Sequence, residues 1–308
     1  MIERSWILAR HLAAFAGLAL LLPLAAQAQE ATFVGEKACT TCHVVINEHF
    51  SHTSHAKAFR ANPRNEREGR VCEACHGPGS LHVKDPADKT LLIGFTSRAA
   101  TPIAVMNGQC LSCHQGGERL HWPGSIHESS QVACSDCHNP MAKFSREGLL
   151  RKQSVSETCY GCHQQQRAEF RRRSHMPLPE GKISCTDCHN PHGSTTKSLL
   201  QADSVNALCY RCHTEKRGPF IWEHAPVRES CMNCHVPHGS NHEKLLASPR
   251  PFLCQQCHAN DGHPTELLAR SGTAAGSSPD ARLMARSCQT CHAQVHGSNS
   301  PSGARFHR

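Results

Sequence analysis

A five-residue pattern, Cys-x-x-Cys-His, constrains this chain more than any other feature. It occurs ten times and uses all 20 cysteines, so none is left for a separate structural disulfide. The spacing inside each motif does not vary, and a histidine always follows the second cysteine. The ten cysteine pairs are Cys39 and Cys42, Cys72 and Cys75, Cys110 and Cys113, Cys134 and Cys137, Cys159 and Cys162, Cys185 and Cys188, Cys209 and Cys212, Cys231 and Cys234, Cys254 and Cys257, and Cys288 and Cys291.

The motif has the spacing that covalent haem attachment requires. Two thiols three positions apart can add to the two vinyl groups of one porphyrin, and the adjoining histidine then lies under the iron as its proximal ligand. Disulfides, zinc sites and thioredoxin-like sites also use Cys-x-x-Cys, but none of them requires a histidine at this position in every repeat. The pattern therefore predicts ten c-type haems, with proximal ligands His43, His76, His114, His138, His163, His189, His213, His235, His258 and His292.

The remaining histidines are numerous enough to supply a second axial ligand to every iron. The chain has 25 histidines, and haems that transfer electrons at low potential use His or Met as the second ligand. Regular positions just before or just after motifs select ten distal candidates: His52, His55, His82, His127, His175, His192, His224, His238, His263 and His296. Four others are surplus: His49, His121, His242 and His307. His121 is the first replacement if one of the ten is wrong.

Met141 interrupts this regularity. It follows the fourth motif at the position where the Pro-His-Gly pattern would place a histidine. A methionine ligand would raise the potential of its haem. The interpretation favoured from the sequence is instead a methionine in an exposed loop.

The N-terminus indicates export. Arg4 and Arg10 precede an apolar run from Leu12 to Leu24, which ends at a small-residue site, Ala26-Gln27-Ala28. This arrangement predicts a secretory signal peptide at 1–28, cleaved after Ala28. An uncleaved membrane anchor is the alternative, but the run is short for a bilayer. No cysteine precedes Cys39, so no lipoprotein attachment is expected.

Composition and repeats predict the architecture. Only 38% of residues are hydrophobic, so the haems themselves are expected to form the core of a decahaem domain at 29–308. Tandem dihaem repeats are predicted at 121–258, between looser ends at 29–120 and 259–308. Little regular secondary structure is expected: short α-helices, as at 164–173, and loops wrapped around a linear chain of ten haems. A flexible linker is predicted at 272–279.

The charge does not point to nucleic acid. The formal net charge is +8, but the propionates of ten haems bring an opposing negative charge. The excess of Lys and Arg is therefore expected mainly to offset propionates. The one tight basic run, Arg171-Arg172-Arg173, is interpreted as a propionate-binding or solvent-exposed face.

Several segments resemble the MtrA/DmsE-type decahaem cytochromes. They are Trp122-Pro-Gly-Ser-Ile-His127-Glu, the stretch from Arg217 through His224 to Val227, Pro237-His238-Gly-Ser and Val295-His296-Gly-Ser-Asn. The resemblance covers nearly the whole mature chain. It implies a periplasmic haem wire that inserts into an outer-membrane β-barrel porin, exchanges electrons with periplasmic donors or acceptors, and serves an extracellular cytochrome or reductase. The family's two pentahaem halves would meet near Arg173, a division that the motif spacing does not reveal.

Three functions are considered for a chain with these motifs. An electron conduit is favoured. A multihaem reductase needs an open iron, often marked by Cys-x-x-Cys-Lys, whereas every motif here ends in histidine. A soluble periplasmic electron store would have the same motifs, and only the family resemblance favours the conduit over it.

Overall fold

Short helices joined by turns make up the described chain. The computed structural model describes residues 30–258, 288–290, 292–301 and 303–306. The predicted signal peptide at 1–28, the linker at 272–279, His263 and Cys291 lie outside the described residues. The α-helices are α1 (Glu36–Thr40), α2 (Val44–Ser51), α3 (Ser54–Ala61), α4 (Glu66–Gly69), α5 (Glu73–His76), α6 (Ser80–Lys84), α7 (Ile103–Leu111), α8 (Ile126–Ser129), α9 (Cys134–Cys137), α10 (Val155–Cys159), α11 (Gln164–Glu169), α12 (Val205–Cys209), α13 (Ala225–Glu229) and α14 (Phe252–Gln255).

Single 3₁₀ turns and isolated bridges complete the secondary structure. The described residues contain no strand longer than one bridge, and none of their helices is long and apolar enough to cross a membrane. This agrees with the expectation of little regular structure. The 3₁₀ turns are Lys89–Leu91, Gly117–Arg119, Cys185–Asp187, Thr214–Lys216, Cys231–Asn233, Glu243–Leu245, Cys288–Thr290 and Gly303–Arg305.

The helix predicted at 164–173 is shorter than expected. It ends at Glu169, and Phe170 is its C-cap. Phe170 is buried, with its ring 5.4 Å from that of His238. Ser174 then exchanges two backbone hydrogen bonds with Ser240, at 2.7 and 2.9 Å, which requires extended chain. This distant pairing overrides the helical preference of the arginine run.

From the fourth to the eighth motif, odd and even motifs adopt two alternating local forms. In the fifth and seventh motifs a serine-capped helix, α10 or α12, ends at the first cysteine. In the fourth, sixth and eighth motifs the first cysteine instead begins a turn of helix. The motif histidine of each of these even motifs then bridges to a leucine eleven or twelve residues downstream. These bridges are His138 with Leu150, His189 with Leu200 and His235 with Leu246.

Each of these bridges closes a loop between the motif histidine and the leucine, which we call an even-motif clip. Each clip places a non-glycine residue in the left-handed region. Leu149, Leu199 and Leu245 have φ of 48°, 55° and 58°, a conformation that crowds the β-carbon. In each clip the carbonyl of that leucine accepts a backbone hydrogen bond of 2.6 or 2.7 Å from the residue after the motif histidine. Because the same geometry recurs three times, we interpret it as a requirement of the clip.

Buried hydrophobic side chains are scattered along the described chain. One cluster stands out: Phe50, Ala56 and Val71, with Cys72 and Met141 packed against it. The expectation that Met141 lies in an exposed loop is therefore wrong. Its side chain is half-buried because the loop after the fourth motif folds back onto α2 and α3.

Glycines mark the joints between repeats. Gly193, Gly239 and Gly297 each follow a distal candidate histidine and are buried. A β-carbon at Gly193 would lie 2.0 Å from the carbonyl oxygen of His121, and one at Gly239 would lie 1.9 Å from that of Glu169. At Gly297 it would lie 2.2 Å from the ring of Phe220. Only glycine permits this approach between segments that are far apart in sequence.

Replacement of Gly239 by alanine tests this joint. The new β-carbon would collide with the Glu169 carbonyl, so we expect Gly239→Ala to cost at least the ~1–3 kcal/mol typical of overpacking. The midpoint of thermal unfolding should fall by several degrees. Gly108→Ala in α7 is the control, because its β-carbon would meet nothing within 4 Å. Equal midpoints for the two variants would contradict the proposed role of Gly239.

Candidate haem-ligand sites

Seven motif histidines each lie opposite a histidine from another part of the chain. The separations of the ring centroids all fall between 5.8 and 6.3 Å. All seven second histidines are among the ten distal candidates. The pairs are His43 with His82, His114 with His55, His138 with His192, His163 with His127, His189 with His238, His235 with His296, and His258 with His224.

This separation is the one that a shared metal ion imposes. An imidazole nitrogen lies about 2.0 Å from the metal that it ligates, so two imidazoles on opposite sides of one metal have centroids about 6 Å apart. Direct ring stacking would bring near-parallel rings closer, yet the near-parallel pair His235 and His296 is 6.2 Å apart. The spacing therefore fits a haem iron between the rings.

The ring nitrogens are oriented for the same purpose. His138, His189 and His235 hold their Nδ1 atoms 2.6–2.9 Å from a backbone carbonyl inside their own clip. Two distal candidates do the same with remote carbonyls: His127 with Pro191 at 2.7 Å and His224 with Val295 at 2.9 Å. A histidine that donates its Nδ1 proton in this way presents Nε2 to a metal, as most metal-bound histidines do.

Burial favours the neutral form of five candidate ligands. Desolvation is the largest cause that lowers the pKa of His55, His192, His224, His238 and His296 below the usual histidine value. An imidazole must be unprotonated to bind iron, so this shift favours ligation.

The cysteines show which motifs are neighbours in space. First cysteines meet in consecutive pairs whose side chains hydrogen-bond: Cys39 with Cys72, Cys110 with Cys134, Cys159 with Cys185, Cys209 with Cys231, and Cys254 with Cys288. Burial is the main cause that raises the pKa of the Cys72 thiol to about 12, and the neighbouring Cys39 is the second cause.

Second cysteines make the intervening junctions. Burial is the largest cause of the raised pKa of Cys137, Cys188 and Cys234, and a second cysteine of the next motif contributes to each. Those neighbours are Cys162, Cys212 and Cys257 respectively. The second motif meets the third in a similar way, because Cys110 and Cys113 contribute to the raised pKa of Cys75. Consecutive motifs are therefore neighbours in space.

Three motif histidines stand apart from the seven pairs. His76 holds Nδ1 2.8 Å from the carbonyl oxygen of Ile93, and its ring meets the edge of Phe95 at 5.2 Å. His213 has Nδ1 3.8 Å from Glu215. His292 has Nδ1 2.5 Å from the carbonyl oxygen of Arg305.

Two of the distal candidates, His52 and His175, are not brought to a motif histidine among the described residues. His52 is exposed and forms no ring pair with a motif histidine among the described residues. His175 places Nε2 3.0 Å from Glu180 and Nδ1 2.7 Å from the Arg172 carbonyl oxygen. Both hydrogen bonds raise the pKa of His175, and the one to the Arg172 carbonyl has the larger effect. His263 lies outside the described residues.

Three buried donors near the fourth motif have no acceptor among the described residues. They are Nε of Arg119, Nε1 of Trp122 and Nδ1 of His192. Buried polar groups are rarely left unpaired, so these donors call for an acceptor other than the described residues. Haem propionates have the matching chemistry. Sequence reasoning missed Arg119 and Trp122, and only the position of Trp122 in the resemblance segment could have signalled them.

Two family models and one relative match this chain. The family described as "Doubled CXXCH motif" matches residues 127–168, 175–218 and 224–263, and the "Cytochrome c-type protein NrfB-like" family matches residues 72–145. The multiheme cytochrome MtrA of Shewanella baltica (strain OS185) is 40% identical over 275 residues, which are 89% of this chain and 81% of that protein.

The motifs and these similarities define a multihaem c-type cytochrome, with haem covalently bound through Cys-x-x-Cys-His. Its function is electron transfer. Within this class, the chain belongs to the family of the multiheme cytochrome MtrA.

Replacement of His224 tests one distal site. His224→Ala should leave the haem content unchanged, because both thioether cysteines remain, and should convert one haem from low to high spin. Low-temperature EPR of the oxidised protein measures the change, and the pyridine haemochrome assay measures haem content. His242→Ala is the control, since His242 makes no ring pair with a motif histidine among the described residues. Unchanged EPR spectra for His224→Ala would remove it from the ligand set.

Proposed function

We propose that this chain is an exported decahaem electron conduit that carries electrons across the outer membrane inside a β-barrel partner. The observation that carries the proposal is the set of seven imidazole pairs at 5.8–6.3 Å. Each bound haem supplies an iron that exchanges one electron between its ferric and ferrous states. The protein's part is to cap the irons, fix their order and balance their charge.

Capping favours a conduit over an enzyme. Two histidines facing one iron leave no coordination position for a substrate, and they stay in place in both oxidation states. The carbonyls of Pro191 and Val295 hold His127 and His224 in the ligating orientation. Fixed ligands reduce the reorganisation that accompanies each electron transfer. We therefore assign no catalytic residue to this chain.

Order along the chain supports long-range transfer. Consecutive motifs are neighbours through their cysteines, so the haems that these cysteines would hold would lie close enough for electrons to pass between them. With 308 residues for ten motifs, little protein is available to separate them. An electron can then move between adjacent sites, from one end of the motif series to the other.

Arginine clusters supply the counter-charge. Arg211, Arg217 and Arg228 line one cavity of about 540 Å³, together with Tyr210 and Asn206. Guanidinium groups bind carboxylates in bidentate geometry, so this cavity suits haem propionates. This use of arginine extends the expectation that the basic excess offsets the cofactors.

Localisation and partners follow from the family. The predicted signal peptide would export the chain, and the resemblance implies a periplasmic protein seated in an outer-membrane β-barrel porin. Periplasmic proteins would exchange electrons at one end, and an extracellular cytochrome or reductase at the other. The potentials of these partners set the direction of flow.

Loss of one interior haem separates a conduit from an electron store. Cys185→Ala combined with Cys188→Ala removes the sixth haem. A conduit should then lose nearly all electron transfer across the membrane, because the gap between the fifth and seventh haems is too wide. The number of electrons that the protein accepts should fall by only a tenth. The test uses vesicles that contain the chain with the barrel expressed beside it, reduced methyl viologen inside and ferric citrate outside.

His121→Ala is the control for this test, because it leaves all ten motifs intact. Nine haems by pyridine haemochrome and an unchanged circular dichroism spectrum show that the deletion variant has folded. If electron transfer across the membrane and the number of electrons accepted both fell by about a tenth, the conduit would be overturned and an electron store supported. Failure of the chain to purify with any barrel would overturn the membrane role.

A further inference from the structure

Two series of distal histidines follow simple rules. The first series lies upstream of even motifs. His55, His127 and His224 precede the second, fourth and eighth motifs, and they face the motif histidines of the third, fifth and ninth. A histidine upstream of one even motif therefore serves the next odd motif.

The second series lies downstream of even motifs. His192, His238 and His296 follow the sixth, eighth and tenth motifs, and they face the motif histidines of the fourth, sixth and eighth. The loop after an even motif thus serves the preceding even motif. By this rule the loop after the fourth motif should serve the second, and the residue at the ligand position there is Met141.

The two loops begin with the same pair of hydrogen bonds. The side-chain oxygen of Asn139 accepts the N–H of Met141 at 3.1 Å, as that of Asn190 accepts the N–H of His192 at 3.1 Å. The N–H of each asparagine donates to the carbonyl of the positive-φ leucine in its clip, at 2.6 and 2.7 Å. Met141 therefore occupies the place that His192 holds one repeat later.

The surroundings of Met141 also point to the second motif. Its side chain packs against the cluster of Phe50, Ala56 and Val71, and Cys72, the first cysteine of the second motif, packs against the same cluster. The motif histidine there is His76. It is the earliest motif histidine in the chain that has no second imidazole opposite it among the described residues, and its Nδ1 is held by the Ile93 carbonyl.

We propose that the Met141 thioether sulfur is the second axial ligand of the second haem, opposite His76. The inference rests on the haem-carrying function proposed above. A thioether stabilises ferrous iron relative to a second imidazole, so this haem has a higher potential than its bis-histidine neighbours. His52, predicted as a ligand from its spacing, is then surplus.

Met141→Leu tests the assignment, because leucine keeps the packing volume but cannot bind iron. The oxidised wild-type protein should show the weak far-red band of methionine-to-iron charge transfer. Met141→Leu should lose this band and convert one haem in ten to high spin. Met106→Leu, at another buried methionine, should change neither signal. Absence of the band in the wild type, or its survival in Met141→Leu, would overturn the proposal.

Two further variants distinguish the alternatives. Met141→His should restore ten low-spin haems without the band and shift the potential of one haem downward in a redox titration. His52→Ala should leave the spectra unchanged. A new high-spin haem in His52→Ala, with none in Met141→Leu, would assign the second haem to His52 instead. All variants should bind ten haems, so a spectral change tests the ligand and not the proposed function. Fewer than ten haems in the wild type would instead contradict the proposed function.

Discussion

The pairing of motif histidines with histidines from remote segments is the contact on which the rest of this structure depends. Each pair joins segments far apart in sequence, such as His235 and His296. Short helices and single bridges could not hold such segments together by themselves, because few side chains are buried between them. Bound haems would supply, through iron bonds, thioethers and porphyrin faces, the cohesion that a hydrophobic core supplies elsewhere.

Crossed pairing of histidines makes the repeats interdependent. The segment around Pro191 and His192 contributes the carbonyl that orients His127 and also the imidazole that faces His138. One short loop thus serves both the fourth and the fifth motifs. The segment of Val295 and His296 does the same for the ninth and the eighth. Each such loop needs its glycine, because the chain passes so close to the preceding repeat that a β-carbon would collide with it.

The sequence predicted the class of protein well because covalent attachment has a rigid local signature. Every cysteine and motif histidine follows from a spacing inside five residues. The list of distal candidates also followed from repeated contexts, but their partners did not. His192 faces His138 across 54 residues of chain, and nothing in the local pattern specifies so distant a contact. The early end of α11 has the same origin, since it depends on the pairing of Ser174 with Ser240.

The misjudgement of Met141 shows which information was lacking. From the sequence, a methionine in a turn after a motif has no reason to be buried. Its importance emerges only when the loop is matched to the one that carries His192 and the cluster around Phe50 is seen beside the second motif. Met141 is informative because its loop begins with the same hydrogen bonds as the loop of His192, and only the candidate ligand atom differs.

A single methionine near one end would change how the array holds charge. The second motif adjoins the first through Cys72 and Cys39, so the site of raised potential would lie one step from the end of the series. An electron entering anywhere along the chain would be held longest there. Transfer onward from this site would require activation, whereas transfer into it would be favourable. The ligand change would therefore keep the end beside the first haem reduced, ready for a partner that accepts electrons at that end.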